Sequence, residues 1–156
     1  MLELFKSRSL SGFLIWLGGT LHWSSKRQKN TAHSSTEVEI YTTDECCESL
    51  SHMIHLIQDL KVTNSLIQFP IQIYNDNEAS VKLSRNRITK GLFFLQMREN
   101  SVGELLQDDT INVNHIAGGN NNSDMFTKED IDASHFIKCR NLVMTSESNF
   151  NNQVMI

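Results

Sequence analysis

The stretch IQIYNDNEAS, Ile71–Ser80, decides how this chain is read. Ile71 to Tyr74 is a short, dense run of strand-forming residues, which reads as a buried strand. It stops at an acid. Asp76 stands just past the strand, and the residues after it, with Ala79, Val81 and Leu83 among them, read as a helix. The ordinary explanation is capping, because Asn77 or Asp76 can accept the free backbone N–H groups of that helix start. The alternative is functional, because in open α/β sheets sites gather just outside strand ends.

Composition limits what the acid can mean. The 156 residues suffice for one core. Fourteen Lys and Arg against 18 Asp and Glu give a net charge of −4, so the chain lacks the overall basic character of a dedicated nucleic-acid binder and would rely on local patches. Three cysteines, with Cys46 and Cys47 adjacent, make a poor disulfide framework. They read as small buried hydrophobes in an intracellular, reducing setting, cytoplasmic or nuclear.

Working toward the amino terminus, GFLIWLGG at Gly12–Gly19 follows Lys6 and Arg8 in the order of a signal peptide. The run is too short to span a bilayer, and no membrane partner is expected. Closed by Gly18-Gly19 and followed by Thr20–Trp23, it reads instead as a β-hairpin. The basic segment Ser24–Asn30 comes next. Ser34 with Glu37 three residues on is a capping box. Val38, Tyr41, Cys46, Leu50, Met53, Ile54, Ile57 and Leu60 then keep helical spacing, predicting a helix from there to about Leu60. Glu39 lies in its first turns near the side that meets the core, where a charged residue is usually solvated at the rim.

Working toward the carboxyl terminus, Arg85, Arg87, Lys90 and Arg98 surround an apolar segment that reads as a basic loop and an amphipathic helix. A solvated basic face is one reading of these cations, and phosphate contact the other. A turn is expected at Gln107–Asp109, then a strand carrying Ile111, Val113 and Ile116, and a Gly/Asn-rich loop whose ordinary role is turn and cap chemistry. Asp124 follows as a helix start. Glu39, Asp76 and Asp124 thus stand in comparable settings. Carboxylates on rigid elements suit Mg²⁺, a hard cation with oxygen ligands, and two such ions about 4 Å apart can activate water and stabilise a leaving oxygen in phosphodiester cleavage.

Taken in order, SGFLIWLGG, LHWSSKRQ, AHSSTEVEIY, IYNDNEAS, Thr89-Lys90 and SDMFTK resemble the ribonuclease H domain of copia-type (Pseudoviridae) retrotransposon Pol polyproteins, whose pattern is roughly SGYVFxLGG, ISWxSKRQ, ALSSTEAEY, xCDNxSA, RTKH and ADIFTKP. The resemblance covers Ser9 to Met144. It implies an α/β, ribonuclease H-like fold with a mixed central sheet flanked by helices over residues 1–144, and leaves 145–156 as an Asn/Ser-rich tail expected to lack order. It also implies hydrolysis of the RNA strand of RNA/DNA hybrids during reverse transcription. Glu39, Asp76 and Asp124 would be the catalytic and metal-binding acids, and Mg²⁺, or Mn²⁺ in its place, the cofactor. The hybrid and the reverse transcriptase of the same polyprotein would be the partners. His115 matches a structural histidine.

Members of that family begin with a strand bearing a further catalytic Asp, upstream of the SG of the next strand. Here that position falls at or before Met1, and Glu3 is the only earlier acid. The expectation is a sheet lacking its first strand, with an unpaired edge, reduced stability and weak cleavage. Gly91, Leu92 and Phe93 replace the usual His-Ile-Asp, and Glu129 replaces a Pro, as in a diverging element. A hybrid-cleaving enzyme therefore stands against a catalytically inactive transposon remnant with residual nucleic-acid binding.

Overall fold

The computed structural model describes residues 9–28, 34–61, 67–85, 102–128, 130–144 and 153–156. The expected hairpin is β1 (Leu10–Trp16) and β2 (Thr20–Arg27), paired antiparallel. Gly18, at φ 65, takes the left-handed turn position that a residue with a Cβ resists. Helix α1 (Ser35–Asp59) starts where the capping box puts it, with Ser34 Oγ accepting from the Glu37 N–H at 3.1 Å. Strand β3 (Ile71–Asn75) leads into α2 (Glu78–Arg85). The helical residues 102–107, here α3, are followed by β4 (Ile111–His115), α4 (Asp124–Thr127), α5 (Ala133–Met144) and β5 (Gln153–Met155). The proposed amphipathic helix around Leu92–Met97, with Arg87, Lys90 and Arg98, lies outside the described residues. Arg85 is described, and its guanidinium is engaged with the Val113 carbonyl and Asn114 Oδ1 of β4, each at 2.8 Å.

The five strands form one mixed sheet in the order β2-β1-β5-β3-β4, flanked by helices, which is the α/β architecture of a ribonuclease H-like fold. Two expectations are corrected here. The end of the tail does not lack order: Gln153–Met155 is the central strand, antiparallel to Leu14–Trp16 of β1 and parallel to Gln72–Tyr74 of β3. For the same reason the inner edge of β1 is not left unpaired. The ladder continues through Ile156, whose N–H donates to the Tyr74 carbonyl at 2.8 Å. Three apolar residues, Val154, Met155 and Ile156, suffice because the slot between β1 and β3 satisfies the backbone on both sides and buries all three.

The alternation of strand side chains sorts the two faces. Phe13, Ile15, Ile73, Val113, Val154 and Ile156 join Cys46, Leu50 and Ile54 of α1 in the main core. On the other face, Leu14, Trp16, Gln153 and Met155 meet Leu142 and Val143 of α5. Helix α4 lies hard against β1, since a Cβ on Gly12 would come within 2.5 Å of Thr127 Cγ2 and 3.0 Å of Phe126 Cβ. Ser25 Oγ donates to the Phe126 carbonyl at 2.6 Å and fixes the same helix to β2. All three cysteines are free and buried, as their composition suggested. Among the described residues no helix is long and apolar enough to cross a membrane.

Val154 is fully buried at the middle of the central strand. Val154→Asp is expected to lower unfolding free energy by on the order of 3–5 kcal/mol, the cost of an unpaired buried charge. Urea unfolding followed by circular dichroism measures this, and a wild-type midpoint would place residues 153–156 outside the sheet.

Candidate functional site

The opening stretch resolves its own ambiguity by local hydrogen bonding. Asn77 is the cap of α2, its Oδ1 accepting from the Ser80 N–H at 3.0 Å. Asn75, buried at the end of β3, turns the chain by accepting from the Asn77 N–H at 2.7 Å. Asp76 is thereby spared the capping role. Its carboxylate approaches the loop between β4 and α4, where a Cβ on Gly118 would stand 3.5 Å from Asp76 Oδ2.

Glu39 reaches the same region from α1. Asn75 Nδ2 donates to Glu39 Oε2 at 3.1 Å, so a single asparagine shapes the strand end and orients the helix carboxylate. Behind Glu39, a polar knot ties α1 to the hairpin. Gln28 Nε2 donates to Ser11 Oγ at 2.7 Å and to the Val38 carbonyl at 3.0 Å. Thr42 Oγ1 donates to the Val38 carbonyl at 2.9 Å and lies 3.0 Å from Ser11 Oγ. Gln28 is the last residue of the SKRQ word, and its buried amide gives that word a structural purpose.

Asp124 comes from the third direction, at the first turn of α4, with only 6% of its side chain exposed. Asn121 positions the loop before it: its Oδ1 accepts from the Ser123 N–H at 3.2 Å and from Ser123 Oγ at 2.7 Å, while its Nδ2 donates to the Ile156 carbonyl at 2.8 Å. The loop is thus pinned to the end of the central strand. Asp124 Oδ2 is held by Lys128 Nζ at 2.6 Å and faces His135 Nε2 at 3.6 Å.

The three predicted acids therefore meet electrostatically. Burial first, and then the negative charge of Asp76, pushes the Glu39 carboxyl up to about 7; Asp124 adds to the rise, while the Asn75 amide and the Lys128 ammonium work against it. Lys128 lies in the field of all three, which hold its ammonium charged more firmly than usual against the opposing effect of burial. Among the described residues no three acidic, histidine or cysteine side chains converge tightly enough to hold a metal ion as they stand. The donor types are nonetheless those a hard cation takes, and the mutual repulsion raising Glu39 is what a cation would relieve. Sequence reasoning missed Asn75, Asn121 and Lys128. The last was legible in principle, since Asp124 and Lys128 are four apart at the start of an expected helix. His115 lies exposed at the end of β4, away from the core.

The chain is similar to part of much longer proteins. It is 29% identical over 146 residues, 90% of this chain and 10% of the relative, to the retrovirus-related Pol polyprotein from transposon TNT 1-94 of Nicotiana tabacum. It is 25% identical over 122 residues, 77% of this chain and 8% of the relative, to the retrovirus-related Pol polyprotein from transposon RE2 of Arabidopsis thaliana. The chain thus spans about a tenth of the length of these curated relatives. No protein-family model matches it, and no solved structure does.

The raised Glu39 carboxyl gives stability a pH dependence of definite sign. An unfolded Glu ionises near 4.5 and the folded one near 7, so the folded chain binds more protons in that window. Glu39's contribution is complete below the lower value and is lost as pH rises through the upper one. Glu39→Gln should remove this loss, sparing on the order of 1–2 kcal/mol at about pH 8 relative to about pH 5 after allowance for solvent screening. In carbon-detected NMR titrations Asp76→Asn should lower the Glu39 midpoint; a midpoint unmoved by that substitution would separate the two acids.

Proposed function

We propose that this chain is a retrotransposon-derived ribonuclease H domain that hydrolyses the RNA strand of RNA/DNA hybrids during reverse transcription. The observation that carries this reading is that Asp76, at the end of β3, and Asp124, at the start of α4, both act on the Glu39 carboxyl of α1, with Asn77 taking the capping role that would otherwise explain Asp76. The similarity to transposon Pol polyproteins supports a retrotransposon origin; the reading adds an intracellular setting with the reverse transcriptase of the same polyprotein as a partner.

Glu39, Asp76 and Asp124 are the residues that would hold a divalent cation. Mg²⁺, or Mn²⁺ in its place, supplies charge stabilisation at the phosphodiester and a water of lowered pKa. The chain's own groups do the rest. Asn75 fixes the direction of the Glu39 carboxylate, and Asn121 holds the loop that delivers Asp124. Glu39, raised by burial and by the charge of Asp76, would give up its proton to hold the cation as a carboxylate. The hybrid is read by shape, phosphate and 2′-OH contacts and not by base sequence, which is compatible with a net charge of −4 if local cations meet the backbone.

A second reading, a remnant that binds hybrid without cutting it, draws on one feature. The strand filling the sheet's centre, Gln153–Met155, brings no acid to the site. The two readings part in one assay. The purified chain with labelled RNA/DNA hybrid and Mg²⁺ or Mn²⁺ is expected to cut the RNA strand, and Asp76→Asn to abolish cutting. No cutting by a chain whose fold is verified would leave the remnant.

A further inference from the structure

We propose that Lys128 is a tethered counter-ion of the acid cluster, occupying ground that a divalent ion needs and thereby weakening that ion's binding. The inference rests on the cation-binding reading above and concerns which of the chain's own groups controls entry. Asp124 offers its Oδ2 to Lys128 Nζ at 2.6 Å, with His135 Nε2 on the same oxygen at 3.6 Å. That carboxylate is almost wholly buried, so an ion approaching this oxygen competes with the ammonium for it.

The geometry also shows how it could leave. Lys128 is the C-cap residue of α4, anchored by its own N–H to the Asp124 carbonyl at 3.0 Å, while its side chain is 52% exposed. A long, flexible stem with its root fixed and its length in solvent can swing away without disturbing α4. The ammonium is also attracted by Asp76 and Glu39. One positive charge thus partly neutralises three carboxylates in the absence of any other cation, and the chain carries its own competitor. An ion pair with one exposed partner is weak, so the competition is modest.

The measurement is Mn²⁺ binding to the full chain, read by the electron paramagnetic resonance signal of free Mn²⁺ and independent of catalysis. Lys128→Met should tighten binding about 3- to 10-fold, the equilibrium equivalent of a partly exposed ion pair. Lys128→Arg should leave it near wild type. Lys26→Met, which removes one positive charge from the pair with Glu45, controls for net charge. Asp76→Asn should weaken binding in either background. Equal affinity for wild type and Lys128→Met, with Asp76→Asn still weakening both, would overturn the role of Lys128 and leave the cation site standing. No Mn²⁺ binding by any variant would overturn the site and the proposal together.

Discussion

The sheet is held together at its centre by its shortest strand. Gln153–Met155 pairs with β1 on one side and β3 on the other, and without those pairings the hairpin and the parallel pair β3-β4 would present two open edges to each other. Each partner of β5 is remote in sequence, so the central pairing closes long loops and is among the costliest to form. What offsets that cost is burial on both faces. Val154 and Ile156 enter the core with α1, and Met155 meets α5.

The site inherits its geometry from this arrangement. β3 can place Asp76 at its end only because its register is fixed from both sides, by β4 and by β5. The loop carrying Asn121 is tied to the Ile156 carbonyl, so the same central strand that sets the sheet also anchors the approach to Asp124. Gly12 lets α4 come down onto β1, which brings Asp124 toward the sheet from the face opposite α1. The candidate acids therefore depend on packing well away from their own side chains.

How much of this was legible in the sequence follows from how local each determinant is. The α1 start was legible because Ser34 and Glu37 act within one turn, and β3 because its apolar density is continuous. The hairpin was legible from the apolar run and its Gly-Gly turn. β5 was not. Three apolar residues after an Asn/Ser-rich segment carry no periodicity, and what makes them a strand is a slot built by residues some 80 to 140 positions earlier. The acids were legible as candidates, but choosing between Asp76 and Asn77 as the cap required seeing Asn75 turn the chain. The role of Asn75 itself depends on a helix that begins 40 residues upstream.

The electrostatics of the cluster make a related point about what such an arrangement is for. A carboxylate raised toward neutrality by burial and by two like charges is a poor structural choice, since an apolar residue there would avoid both costs. Lys128 recovers part of that cost, but from an exposed position and chiefly at Asp124, leaving Glu39 still raised. Stability alone would favour a closer, better-buried counter-charge, or fewer acids. The chain instead keeps three acids in one another's field, orients one with a buried asparagine, and balances them with a half-exposed lysine. That combination sacrifices stability, and on the function proposed above the negative charge it leaves at the strand end is what a divalent cation would take up.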